Sequence, residues 1–184
     1  DFAGVKCYLE AHIEQGPELA ARRLPVGIVT GIAGVFRYRV ICHGMANHSG
    51  TTLMKRRHDA MVGMAKLIVY GDLRCRELDD HLVFTAGTID CLPNSANVVP
   101  NRVEATFEMR HLERTLTDAL IADIKAYAET IPDVTFSFET REEKPGTYCD
   151  KGIQKVFQKA ADRLHLPYLV MPSGASHDAH ALAP

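Results

Sequence analysis

Residues Arg102 to Arg110 alternate without a break: Val103, Ala105, Phe107 and Met109 are apolar, while Arg102, Glu104, Thr106, Glu108 and Arg110 are polar. Side chains of an extended chain point to opposite faces with a period of two, so this segment reads as a strand with one apolar and one charged side. The apolar side needs a second layer to cover it. Two stretches offer one. Lys55 to Glu77 predicts an amphipathic helix with Met61, Met64, Ala65 and Ile68 on one face. Leu116, Leu120, Ile124, Ala128 and Ile131 predict another, which Pro132 ends because its ring cannot continue a helix.

Three more strands surround these helices. Val35 to His43 sets Phe36, Tyr38, Val40 and Cys42 against Arg37 and Arg39; Leu82 to Asp90 is extended; and Val134, Phe136 and Phe138 alternate. Residues 35 to 140 therefore run strand, helix, strand, strand, helix, strand. That is the βαββαβ, ferredoxin-like unit, an α+β arrangement of four antiparallel strands backed by two helices.

The flanks read differently. Tyr8, Glu10, His12 and Glu14 fall on one face of a predicted strand, GPELAARR is helical, and VGIVTGIAG from Val26 is a strand apolar on both sides. Arg141 to Asp150 is polar and holds Pro145 and Gly146, as a linker does. Ile153, Val156, Phe157, Ala160 and Leu164 predict a helix, and LPYLVMPSG a short buried strand. The central block, residues 34–141, thus reads as an insertion between segments 1–33 and 142–184 of an incomplete α/β domain. Asp1 in place of Met and the SHDAHALAP ending lead us to expect a fragment of a longer chain.

Composition removes several function classes. With 184 residues, 46 % of them hydrophobic, the chain can close a core, which excludes disorder. A net charge of −2 argues against nucleic acid, and the RVEATFEMR strand lacks the glycine and paired aromatics with which RNA-binding βαββαβ domains stack bases. The longest apolar run, Met61 to Gly71, is broken by Lys66 and falls short of the ~18 residues of a membrane span. Five cysteines without a CxxC pair suggest neither a disulfide framework nor a thiolate zinc site, and point to a reducing cytoplasm.

Several strings can carry chemistry. His12 in HIEQG is placed as a metal ligand or as an ordinary surface histidine. GMANHSGTT flanks His48 with Gly44 and Gly50, so it is either a loop that approaches a ligand closely or a solvated turn. Asn97 in PNSANVVP can bind a carboxylate or simply form a turn, and Arg110 can grip a carboxylate or pair across the sheet. His177 and His180 in SHDAH suit a metal by spacing, but SGASHDA is equally explained as a helix start.

Taken in order, YLEAHIEQGP, PVGIVTGIAG, GMANHSGTTLMKRRHDAM, PNSANVVP, the strand ending in Arg110 and SGASHDA resemble the M20-type metallo-amidohydrolases. The resemblance is to the branch of N-carbamoyl-L-amino-acid hydrolases, β-ureidopropionases and allantoate amidohydrolases. It implies a metal-dependent catalytic domain interrupted by a lid that also forms a homodimer, and a small carboxylate substrate whose carbamoyl C–N bond is hydrolysed. It implies two divalent metals, Zn²⁺ or Mn²⁺ with Co²⁺ or Ni²⁺ as alternatives, which the fragment is not expected to retain. It makes His12 a metal ligand and Gln15 a substrate contact. His48 becomes the oxyanion donor reaching across the dimer, Asn97 and Arg110 the carboxylate grip, and Gly174 part of a loop beside the site. Ser49 and Leu53 stand where family members usually have Ala and Pro. The family's upstream His and Asp ligands, Glu-Glu pair and final Ser-His motif have no counterpart here, so the chain alone is expected to be inactive. A non-catalytic dimerisation or ligand-binding module is the competing expectation.

Overall fold

The computed structural model describes residues 4–183. The first elements along the chain are helix α1 (Glu18–Arg22), strands β1 (Val26–Ile32), β2 (Gly34–His43) and β3 (Asn47–His48), helix α2 (Ala60–Leu78) and strand β4 (Val83–Leu92). Then come β5 (Val98–Val99), β6 (Arg102–His111), helix α3 (Arg114–Thr130), β7 (Thr135–Lys144) and β8 (Thr147–Tyr148). Helix α4 (Lys151–Arg163), β9 (Tyr168–Ser173) and α5 (Asp178–Leu182) complete the order. The chain divides into two compact units, one from Val35 to Lys144 and one from the segments before and after it.

The Val35–Lys144 unit is a mixed α/β body. Its four-stranded sheet has the order β4-β6-β2-β7, with β4 antiparallel to β6 and β2 antiparallel to β7. Every second residue of β6 is buried, and Val103, Ala105, Phe107 and Met109 are fully enclosed. They meet Phe36, Tyr38, Val40 and Cys42 of β2, Met64, Leu67 and Cys75 of α2, and Leu120, Ile124 and Ala128 of α3 in one core. Phe84 stands edge-on to Phe107, with ring centres 5.0 Å apart.

Helix α2 begins later than the periodicity predicts. Asp59 accepts hydrogen bonds from the Met61 and Val62 amides and caps it, while Met54–Arg56 forms only a 3-10 turn. Its buried line is also shifted: Ala60, Gly63, Met64, Leu67, Gly71 and Cys75 face the sheet, whereas Ala65 is exposed. The glycines decide this. A Cβ on Gly71 would stand 2.8 Å from Phe84 Cζ, and one on Gly63 would stand 2.9 Å from Cys42 Sγ, so bare backbone is what lets the helix settle onto the sheet.

The other side of the sheet is a lattice of ion pairs. Arg37 bonds Glu108 and Glu142, Arg39 bonds Glu104 and Glu139, Arg102 bonds Glu104, and Arg110 bonds Glu108. Numbers rise on β2 (37, 39) as they fall on β6 (108, 104), as antiparallel neighbours require.

The flanking unit centres on β1, which runs parallel to β9 and antiparallel to β8. Helix α4 packs on β1, and Asp150 caps it through the Ile153 amide at 2.9 Å. Two expectations change here. Residues Tyr8 to Glu14 form no strand, because among the described residues nothing pairs with their backbone; Glu14 instead turns its carboxylate to the Glu18 and Leu19 amides that open α1. The expected linker is structured as well, since Arg141–Lys144 continues β7 and Thr147–Tyr148 pairs with β1. Alternation through polar residues on an edge strand leaves no hydrophobic signature to read. Val156 and Phe157 of α4 and Leu164 just after it are exposed, and Ala161 is the buried residue of the helix. The five cysteines are all free, and among the described residues no helix is long and apolar enough to cross a membrane.

Hydrogen bonds from Arg39 and Arg102 hold the Glu104 carboxyl down at about 2, against 4.5 for an ordinary glutamate. A depressed carboxylate pKa adds stability that is complete above the unfolded value and lost as pH falls toward the folded one. Thermal unfolding should therefore show a stability loss between pH 4.5 and about 2 that is shallower in Glu104→Gln. Equal slopes for the two proteins would contradict this.

Candidate active-site elements

A short antiparallel ribbon projects from the Val35–Lys144 unit, with Asn47 opposite Val99 and His48 opposite Val98. Gly44 makes it possible. A Cβ there would lie 2.1 Å from the His58 carbonyl oxygen, so only glycine lets β2 turn away beneath the start of α2. The ribbon brings His48 and Asn97 together, because the Asn97 carbonyl accepts the Ser49 amide at 2.9 Å. Both side chains are exposed, and the Asn97 amide oxygen accepts from the Ser95 hydroxyl at 2.8 Å.

The state of His48 follows from its partner. Its Nδ1 accepts a hydrogen bond from the Gly50 amide at 3.1 Å, so in the neutral ring the proton sits on Nε2, which is presented as a donor. Arg110 lies at the other end of β6. Eight residue steps of strand separate it from Arg102, roughly 26 Å at the usual rise, and β5 leads directly into the Arg102 end. The structure therefore does not bring Arg110 to His48 and Asn97 within one chain. Arg110 is three-quarters buried, and Glu108 takes its Nε at 2.7 Å, which fixes the plane of the guanidinium.

The flanking unit assembles a second group. His12 stacks on His177 with ring centres 4.3 Å apart. Its Nδ1 faces the Ile13 carbonyl at 2.6 Å; a carbonyl only accepts, so Nδ1 carries the proton and Nε2 presents a lone pair. His177 Nε2 pairs with the Ser173 hydroxyl at 2.8 Å, and burial, followed by the nearby His12, pushes its pKa below the ordinary imidazole value. Gln15 is exposed with a left-handed backbone (φ 53°), and Gly174 is exposed in the loop after β9. His180, by contrast, is buried and bonded through Nε2 to the Pro145 carbonyl at 2.8 Å, so it does not join His177 on a shared ligand.

Glu10 and Ser173 were not singled out by the sequence. The Glu10 carboxylate accepts from the Ala179 amide at 2.9 Å and more weakly from Asp178 at 3.4 Å, which holds its own pKa down. Its role emerges only in the fold, where α5 has no side-chain cap of its own and takes the Glu10 carboxylate as an outside acceptor. Ser173 was hidden in an apolar strand. Among the described residues no group of three His, Cys, Asp or Glu side chains could hold a metal ion. His12 presents one imidazole nitrogen, and the described residues do not complete a metal centre.

The chain is similar to known proteins in both sequence and fold. The peptidase dimerisation domain of the M20 family matches residues 30–135, more than half of the chain. An N-carbamoyl-L-amino acid amidohydrolase from Geobacillus stearothermophilus is 37 % identical over 183 residues, covering 98 % of this chain and 44 % of that protein. An allantoate amidohydrolase from Escherichia coli (strain K12) is 32 % identical over 184 residues, again 98 % and 44 %. A hydantoinase/carbamoylase family amidase from Burkholderia ambifaria superposes with a TM-score of 0.90 at 30 % identity, covering 95 % of this chain and 43 % of that one. The chain belongs to the M20 family and contains its peptidase dimerisation domain. It spans less than half the length of these relatives.

The His12–His177 stack is testable by NMR. His177 should titrate below an ordinary histidine, and His12→Ala should move its midpoint upward, because one of the groups opposing its charge is removed. An unmoved midpoint would show that the rings do not interact.

Proposed function

We propose that this chain is the lid and two flanking catalytic-domain segments of a binuclear-metal amidohydrolase that cleaves the carbamoyl C–N bond of N-carbamoyl-L-amino acids. On this reading residues 34–141 are a ferredoxin-like lid, supported by the β4-β6-β2-β7 order, and residues 1–33 and 142–184 belong to the catalytic domain. The free cysteines support a cytoplasmic setting.

The observation that carries the reading is that a ring N–H donor, His48 Nε2, and a guanidinium, that of Arg110, lie at opposite ends of β6. That separation far exceeds a carbamoyl amino acid, so one copy cannot grip both ends of the substrate. Two copies related by a twofold axis can, each lending its ribbon to the other's Arg110. The M20 dimerisation domain supports such a homodimer.

The chain's own residues then divide the work. Arg110, its plane set by Glu108, and Asn97 hold the substrate carboxylate. The His48 Nε2–H donates to the ureido carbonyl oxygen and strengthens that bond as negative charge develops there. Gln15 and the Gly174 loop line the substrate. His12 would hold, through its Nε2 lone pair, one of the two divalent metals with which M20 amidohydrolases generally work, and such metals would supply an activated water.

Allantoate is the second reading. It presents the same carboxylate and ureido groups, and an allantoate amidohydrolase from Bacillus subtilis (strain 168) is 40 % identical over 122 residues, covering 66 % of this chain and 30 % of that protein.

Turnover of N-carbamoyl-L-amino acids and of allantoate by the full-length protein carrying this segment decides between the two. There, His48→Ala should lower kcat roughly a hundredfold with little change in KM. Arg110→Ala should raise KM by about tenfold or more, the scale of a lost charged hydrogen bond. Wild-type kcat in the first variant, or no hydrolysis of either ureido compound, overturns the reading. This chain alone should neither turn over these compounds nor hold stoichiometric Zn²⁺ or Mn²⁺, as assay and metal analysis would show.

A further inference from the structure

The loop that carries His48 is held from below by a side chain the reaction itself does not require. The guanidinium of Arg57, half-buried, reaches back under the turn; its Nε donates to the Thr52 carbonyl at 3.1 Å and a terminal nitrogen to the Ser49 carbonyl at 2.5 Å. Within the same turn the His48 carbonyl accepts from the Thr51 and Thr52 amides, at 3.4 and 3.1 Å. The Gly50 amide, between the two braced carbonyls, is the group that bonds His48 Nδ1. Planar peptides transmit orientation, so fixing the Ser49 carbonyl on one side of the turn also fixes the Gly50 N–H on the other.

The Arg57 backbone is well anchored for this task. It is extended, follows the 3-10 turn, and its amide donates to the Met54 carbonyl at 3.2 Å. His58, next in the chain, accepts the Met45 amide at 2.8 Å, and Asp59 caps α2. The brace therefore runs from the base of a 19-residue helix to the turn bearing the imidazole. Its donors go to carbonyl oxygens, and among the described residues Arg57 makes no ion pair.

We propose that Arg57 is a positioning residue: by clamping the Ser49 and Thr52 carbonyls it holds the Gly50 amide on His48 Nδ1 and so keeps the His48 proton on Nε2. The inference rests on the proposed role of His48 as a carbonyl-directed donor. Lysine cannot replace the planar fork, since a single ammonium does not reach two carbonyls with the same geometry.

The test uses the full-length enzyme and this chain in parallel. Arg57→Ala should lower kcat about 30-fold while KM stays within about twofold, because the lost interaction matters as charge develops and not in ground-state binding. Dilute guanidinium ion should restore part of that kcat, and Arg57→Lys should fall between wild type and alanine. The double variant with His48→Ala should be no worse than His48→Ala alone, since the two residues act as one unit. In this chain, ¹⁵N spectra of the His48 ring should show a protonated Nε2 and a bare Nδ1 in the wild type, moving toward a tautomer average in Arg57→Ala. If the alanine variant does not fold, Arg57→Lys carries the same readouts. Unchanged kcat and ring spectra, or multiplicative losses in the double variant, overturn the brace. An unchanged kcat in His48→Ala instead removes the donor role on which it rests.

Discussion

Strand β6 is the constraint on which the Val35–Lys144 unit depends. Its apolar side chains can be buried only if helices cover one face, and its charged ones tolerated only if the other face supplies counterions. Both conditions are met, by α2 and α3 on one side and, on the other, by Arg37 and Arg39 of the neighbouring β2, which bond Glu108 and Glu104 and are themselves bonded by Glu142 and Glu139 of β7. Shared acceptors make the lattice a network: Glu104 takes Arg39 and Arg102, and Glu108 takes Arg37 and Arg110. Exposed ion pairs contribute little singly, yet such a network fixes strand register and, through Glu108, the orientation of Arg110.

Two histidines show how a backbone neighbour assigns chemistry to one side-chain type. A carbonyl beside His12 Nδ1 leaves a lone pair on Nε2, and an amide beside His48 Nδ1 leaves a proton there. The first ring is left with an acceptor nitrogen and the second with a donor. The proposed hydrolysis needs one of each, and neither state is written in the residue name.

Much of the fold was legible because burial imposes a period. Strand β6, helix α3 and the alternation in β2 follow directly from spacing. The reading failed where hydrophobicity was not the signal. The buried line of α2 is set by Gly63 and Gly71, which a pattern of apolar side chains does not count. The polar end of β7 and the short β8 read as a linker in sequence, because charged residues in an edge strand look like loop. The stretch from Tyr8 to Glu14 alternates like a strand, yet a strand exists only with a partner to bond it.

For the candidate site, the sequence by itself determined the residue types, their order and their family, because local strings and strand periodicity are properties of the chain taken in order. Tertiary structure alone decided that His48 and Asn97 share a ribbon, that this ribbon lies at the end of β6 away from Arg110, and which nitrogen of each imidazole carries the proton. These are relations between backbone groups that come together only once the chain has folded, and a hydrogen-bond donor or acceptor acquires its partner through position in space, not through neighbourhood in sequence.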